Sequence, residues 1–169
     1  MTTAALIVAA GRGTRAGGGT PKQWRPLKGR RMIDWTLESF ERAGVGLTVL
    51  VLSPDDTAAW EEFSGKPGLI LAEGGAERAA SVLNGLKALE PHGVGKVLIH
   101  DAARPCVSPA LIHSILNALD ETPAAAPALA VTDALWTGAD GTVTGTQDRN
   151  GLFAAQTPQG FRFQDILSA

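Results

Sequence analysis

Cysteine occurs once in 169 residues, which excludes an internal disulfide framework and suits a reducing compartment. Long apolar runs are missing too. The N-terminal run is about six residues and ends at Ala10, with no basic segment before Leu6, so it is too short for a signal peptide or a membrane span. Surplus charge is also lacking. Fifteen Lys and Arg against 17 Asp and Glu leave a net charge of −2, which gives no general attraction for nucleic acid or an anionic membrane. Any phosphate must therefore be held by cations placed locally. Together these absences predict a soluble cytoplasmic protein with no nucleic-acid or membrane partner.

What is present is an ordinary globular composition, 44% hydrophobic and 19% charged, in a chain of a length that fits one domain spanning residues 1–169. Apolar stretches at 6–10, 47–52, 69–71 and 96–100 read as buried strands. Helical spacing separates them. Met32, Ile33, Leu37 and Phe40 form one apolar face, and Ser53-Pro54-Asp55-Asp56 leads into a second helix through Trp60 to Phe63. Val82, Leu83, Leu86 and Leu89 follow the Gly74-Gly75 turn, and Leu111, Ile112, Ile115, Leu116 and Leu119 follow Ser108-Pro109. Strand and helix alternate four times. This predicts an α/β fold, a Rossmann-like mostly parallel sheet flanked by helices, with ligands at the carboxyl ends of the strands.

Beyond Ala124 the pattern changes. Residues 128–131 read as a strand, and 135–137 with 142–144 flank Gly138-Ala139-Asp140-Gly141 as a β-hairpin. That arm, residues 132–150, is too poor in apolar residues to stand alone and is expected to pack on a second subunit. Residues 161–169 begin a last helix that no cap or glycine closes, which predicts that the chain is a fragment of a longer protein.

The chain is organised around its first loop, Gly11-Arg12-Gly13-Thr14-Arg15-Ala16-Gly17-Gly18-Gly19-Thr20-Pro21-Lys22-Gln23. Glycines let the backbone approach an anion, and Arg15 and Lys22 supply the opposing charge. Gly11, Gly13 and Ala16 have the dinucleotide-binding spacing, but the run to Pro21 cannot open directly into a helix, and no acidic residue ends a second strand about 20 residues on. Gly13 and Gly18 have P-loop spacing, but Gly19 stands at the lysine position. What remains is a long glycine loop that wraps a nucleoside triphosphate, set against a plain glycine turn with solvated Arg and Lys. A-A-G-R-G-T-R followed by P-K-Q resembles the sugar-nucleotide and cytidylyl transferase superfamily.

Further motifs sharpen that resemblance. L-I-V-A-A-G-R-G-T-R, T-P-K-Q, G-G-A-E-R-A-A-S-V, H-D-A-A-R-P, D-R-N-G-L and Q-T-P-Q-G-F, in this order from Leu6 to about Phe161, resemble the 2-C-methyl-D-erythritol 4-phosphate cytidylyltransferase family of the non-mevalonate isoprenoid pathway. The resemblance implies a nucleotide-diphospho-sugar transferase type of fold and a homodimer joined through the arm. It implies attack of methylerythritol phosphate on the α-phosphorus of CTP, with pyrophosphate leaving and Mg²⁺ as cofactor. Arg15 and Lys22 match the catalytic positions. Asp101 matches the metal position; a single Asp-Arg pair with Arg104 is the competing reading. Ala9, Ala10, Gly11, Gly13, Gly75, Ser81 and Ala102 match nucleotide-binding positions, although Ser81 alone would read as a plain helix residue. Arg149, contributed by the partner's arm, and Thr157 match positions that bind methylerythritol phosphate; alone, Arg149 would read as a surface charge.

Two departures stand out. Asp133-Ala134 stands where the family has Asp-Thr, so by the resemblance one hydrogen bond to the acceptor, worth about 1 kcal/mol, is expected to be missing or replaced. The family's C-terminal segment, with a further substrate-binding lysine, lies beyond the motifs present, and some members continue into a cyclodiphosphate synthase domain. A non-catalytic nucleotide-binding module, or a sister enzyme acting on another polyol phosphate, are the alternatives. Cys106 is expected to be small and buried, His92 and His113 lack ligand spacing, His100 is expected as a structural hydrogen bonder, and Trp24, Trp35 and Trp60 are expected to pack.

Overall fold

A computed structural model describes residues 2–11 and 19–169. Gly13 and Arg15, with the rest of 12–18, lie outside the described residues. The chain opens with β1 (Thr2–Val8), in which Ala4, Ala5, Leu6 and Ile7 are fully buried. Successive side chains of a strand point to opposite faces. Accordingly Ala5 and Ile7 join one core with Phe40, Leu50 and Ile112, while Ala4 and Leu6 join another with Val51, Leu86 and Phe163. A strand buried on both faces has no need of alternation, which is why its sequence is apolar throughout.

A short hairpin of β2 (Pro26–Leu27) and β3 (Arg30–Arg31) precedes α1 (Met32–Arg42). Then come β4 (Leu47–Leu52), α2 (Thr57–Phe63), β5 (Leu69–Glu73), α3 (Arg78–Leu89), β6 (Val94–Asp101) and α4 (Pro109–Glu121). Asp56 caps α2 by accepting from the Ala59 N–H, and Ser108 caps α4 by accepting from Leu111, with Pro109 in the first turn. The remainder is β7 (Ala124–Ala125), β8 (Ala128–Ala130), β9 (Leu135–Ala139), β10 (Thr142–Gln147), β11 (Phe153–Ala155), β12 (Gln159–Arg162) and α5 (Phe163–Leu167).

The main sheet has the order β5-β4-β1-β6-β12-β7. Its first four strands are parallel, and β12 runs antiparallel to both β6 and β7. The expected mostly parallel sheet with helices on both faces is therefore present. From β1 the chain moves outward through β4 to β5 and then returns to the other side of β1 at β6. That reversal opens a crevice at the carboxyl ends of β1 and β6, the place where open α/β sheets bind ligands.

Several details differ from the sequence reading. The third and fourth strands run longer than expected, to Glu73 and from Val94 to Asp101. The last helix, expected from Phe161, begins at Phe163; Phe161 and Arg162 instead complete strand β12, because hydrogen-bonded neighbours on both sides outweigh the local helical pattern. Gly160 permits it: a Cβ there would stand 2.5 Å from Ile115 Cγ2 under α4. Leu83 is 43% exposed, since the core-facing stripe of α3 is Ser81, Gly85, Leu86 and Leu89. At Gly85 the helix comes so near β1 that a Cβ would stand 2.8 Å from Leu6 Cδ1. The strand at 128–130 pairs with β11, outside the main sheet. Cys106, expected to be buried, is exposed in the turn before α4.

The arm hairpin forms as expected, β9 against β10, closed by Asp140 and Gly141 with φ of 50° and 77°. Two positive φ values match the tight turn that Asp-Gly favours. Trp136 and Val143 on this arm are 69% and 56% exposed. Among the described residues no helix is long and apolar enough to cross a membrane.

Because the space over Gly160 is already filled by Ile115, Leu119 and Leu98, Gly160→Val should destabilise the fold by about 1–3 kcal/mol. Urea unfolding measures this, and a variant as stable as the parent would show that α4 does not press on β12.

Candidate active site

An open cleft of about 1230 Å³ lies over the carboxyl ends of β1, β4, β5 and β6. Val8, Ala10 and Gly11 form its floor at the end of β1, and Gly74 and Gly75 form the turn after β5. Lys22, Arg78 and Arg104 bring three cations to it, against the carboxylates of Glu77 and Asp101. A second depression, of about 830 Å³, is lined by Arg30, Asp34, Glu38 and Lys66, among others. Its cations, Arg30 and Lys66, face the carboxylates of Asp34, Glu38 and Glu41, so it holds no surplus of positive charge.

Asp101 is the electrostatic centre of the larger cleft. Its Oδ1 accepts from Arg78 Nη2 at 3.2 Å and its Oδ2 from Arg104 Nε at 3.1 Å. Arg104 also donates through Nη1 to Gln156 Oε1 at 2.8 Å. The Asp-Arg pairing weighed from sequence is therefore present, and Arg78 adds to it. These side chains are a third to a half exposed, so the pairs are individually weak and open to exchange.

The glycine turn after β5 is built by close approach. A Cβ on Gly74 would stand 2.2 Å from the Cβ of Ala10, so only glycine lets this turn lie against the end of β1. Ser81, 3% exposed, fixes the turn: its hydroxyl accepts from the Gly75 N–H at 3.0 Å and donates to the Glu77 carbonyl at 3.0 Å. Gly75 and Ser81 both line the cleft.

Behind Asp101, His100 is fully buried. Its Nε2 lies 3.0 Å from the Arg104 carbonyl, which only accepts, so that nitrogen carries the proton. Its Nδ1, at 2.8 Å, then accepts from the Thr157 hydroxyl. Burial pushes the imidazole pKa down to about 4. The expected role of His100 as a structural hydrogen bonder is what the geometry gives.

Other sequence candidates sit elsewhere. Ala9 and Ala102 are 3% and 1% exposed and lie behind the wall, their N–H groups donating to the carbonyls of Val51 and Val8. Ala103 is the residue that faces the cleft there. The Arg149 guanidinium donates to the Thr132 carbonyl at the base of the arm, and neither Arg149 nor Thr157 lines the cleft of this single chain. Arg15 and Gly13 lie outside the described residues.

Residues 3–169 match the sequence model of the family described as "IspD: 2-C-methyl-D-erythritol 4-phosphate cytidylyltransferase". The chain belongs to this family. It is 67% identical to the "Bifunctional enzyme IspD/IspF" of Ruegeria pomeroyi over 169 residues, which is all of this chain and 45% of that protein. It is 58% identical over 172 residues to the "2-C-methyl-D-erythritol 4-phosphate cytidylyltransferase" of Cereibacter sphaeroides strain KD131, covering 100% of this chain and 76% of that one. The crystal structure of 2-C-methyl-D-erythritol 4-phosphate cytidylyltransferase from Thermus thermophilus superposes with a TM-score of 0.76 at 34% identity, over 97% of this chain and 72% of that chain. The chain thus spans less than half the length of the bifunctional relative.

For an IspD-family cleft the chain supplies one carboxylate at the strand tip. Among the described residues no group of three or more His, Cys, Asp or Glu could hold a metal ion. A lone carboxylate fits a magnesium ion that takes its other oxygens from phosphates and water, and fits no cage made by protein alone.

Sequence reasoning passed over Gln23, Arg78 and Arg104 as site residues. Arg78 had a signal, as the first helical residue after a Gly-Gly turn, and Arg104 had one in its spacing of three from Asp101. Gln23 stood in the P-K-Q motif, but nothing local marked its role, since its partners lie 12 and 14 residues back.

His100 makes stability depend on pH in a definite direction. Its folded pKa lies below the ordinary 6.5, so the unfolded chain binds the extra proton and stability falls as pH drops from above 6.5 toward 4. The loss from this group is at most about 3 kcal/mol. Urea midpoints at pH 7.5 and 5 should show it, with a smaller difference in His100→Gln; an equal difference in the two proteins would rule out His100 as the cause.

Proposed function

We propose that this chain transfers the cytidylyl group of CTP to 2-C-methyl-D-erythritol 4-phosphate, releasing pyrophosphate and 4-diphosphocytidyl-2-C-methyl-D-erythritol. The observation that carries the reading is the gathering of Lys22, Arg78, Asp101 and Arg104 around glycine turns at the sheet's switch point, in a chain of this family. An oxygen of the acceptor phosphate attacks the α-phosphorus. The bond from that phosphorus to the bridging oxygen breaks, and its electron pair leaves with pyrophosphate.

Little covalent chemistry falls to the protein, so its work is positioning and charge compensation. Lys22, with Arg15 from the same loop, offsets charge that builds on the α-phosphoryl oxygens and the leaving group. Asp101 is the residue to hold Mg²⁺ with the triphosphate, which would supply charge neutralisation there. Gly75, Ser81 and the backbone at Ala10 and Gly11 form the side of the cleft for base and ribose, with Ala9, Ala102 and Gly13 supporting them. Arg149 and Thr157 serve the acceptor, a guanidinium fork being suited to a phosphate.

Arg149 belongs to the arm, and the arm carries the exposed Trp136 and Val143 on a two-stranded ribbon that has little core of its own. A homodimer in which each arm covers the other subunit's site accounts for both facts. The single exposed cysteine suits a cytoplasmic setting.

Pyrophosphate release should require CTP and methylerythritol phosphate together; equal turnover with ribitol 5-phosphate or a sugar 1-phosphate would overturn the acceptor assignment. Lys22→Ala should lower kcat about 100-fold or more with an unchanged thermal midpoint, and an unaltered rate would remove the mechanism. Trp136→Glu should convert the dimer to single chains in sedimentation experiments and raise KM for the acceptor. If the parent already sediments as a single chain, the shared site is wrong.

A further inference from the structure

The sequence singles out Pro21-Lys22-Gln23, yet the reaction above uses only its lysine. Gln23 lines the cleft but is just 6% exposed. Its Nε2 donates to the Ala9 carbonyl at 2.6 Å and to the Gly11 carbonyl at 3.1 Å. Two carbonyl oxygens can only accept, so the nitrogen end of the amide is the one that faces them. One side chain therefore ties the 3-10 turn Lys22–Trp24 to the end of β1, closing the glycine loop at its base.

In an anion site this tie is more than a brace. Carbonyl oxygens carry partial negative charge, and two of them left unpaired where β1 runs into the loop, one buried at Ala9 and one at the cleft at Gly11, would oppose a triphosphate. Peptide planarity adds a second effect: anchoring the Ala9 carbonyl on Gln23 sends the N–H of Ala10 to the opposite side of the same plane. Backbone N–H groups of such turns are what anions bind. We propose that Gln23 is the positioning residue of the phosphate loop, occupying the two carbonyls that would repel the nucleotide and holding Lys22 in register with the end of β1. The inference rests on reading the cleft as a triphosphate site.

Gln23→Met keeps the bulk and removes both donors, and Gln23→Glu keeps the shape and turns a carboxylate on the two carbonyls. Calorimetry with CTP, and ligand-observed NMR with cytidine, which has no phosphates, compare the parent and both variants. CTP binding should weaken about tenfold in Gln23→Met and further in Gln23→Glu, while cytidine affinity stays within about twofold. Parallel loss of CTP and cytidine binding would mean a merely structural role and overturn the inference, as would unchanged CTP binding in either variant. Should Gln23→Met fail to fold by circular dichroism, the near-isosteric Gln23→Glu carries the comparison. A parent chain that binds cytidine and CTP equally overturns the triphosphate reading itself, and this inference with it.

Discussion

Strands β1 and β6 run side by side and finish level, with Val8 beside Asp101. The glycine loop leaves from one and the acidic turn from the other, so this pairing brings Lys22 and the Asp101 carboxylate to one cleft. The ladder also extends past the strands. Ala102 N–H donates to the Val8 carbonyl at 3.0 Å, Ala9 to Val51 at 2.8 Å, and Gly74 to Leu52 at 2.7 Å. Each loop therefore departs from an anchored point on a sheet buried on both faces, which gives a site on loops the precision of a site on strands.

On that frame the charges are arranged to be redistributed. Asp101 holds two guanidiniums with partly exposed contacts of modest strength. Without such a carboxylate, Lys22, Arg78 and Arg104 would repel one another across the open cleft. Under the proposed function a polyphosphate, with more oxygens and more charge than one carboxylate, would take over these guanidiniums, and the partly exposed internal pairs would stabilise the empty cleft without blocking that exchange. His100 stays outside this exchange, neutral and fully bonded, and fixes Thr157 close to the acidic turn.

Much of this was legible in the residues. The apolar run through Leu6 and Ile7, the helical spacing of Ile33 and Phe40 or Ile112 and Ile115, and the glycine turns after β1 and β5 are local signals, and they give the parallel half of the sheet. The antiparallel half was not legible. Gly160 and Phe161 become a strand only because β6 and β7 are there to pair with, and two-residue β7 has no periodicity to read. The site divides in the same way. Lys22, Asp101 and the Gly74-Gly75 turn are marked by motif and position. Gln23 acts through carbonyls that no side-chain pattern records. The arm's Asp-Gly turn was plain, while Arg149 stands away from the cleft of its own chain, and no reading of one chain alone brings it there.

The glycine at position 85 has a reach beyond its own contacts. It sits two helical turns from Arg78, about 10 Å along the axis, and it is what allows α3 to settle on Leu6. Arg78 and Ser81 ride on the same rigid rod. The depth at which a helix nestles in the interior thereby sets how far its leading end, with Arg78 and Ser81, overhangs the cleft, so a change in the hydrophobic interior would be felt at a surface it does not touch.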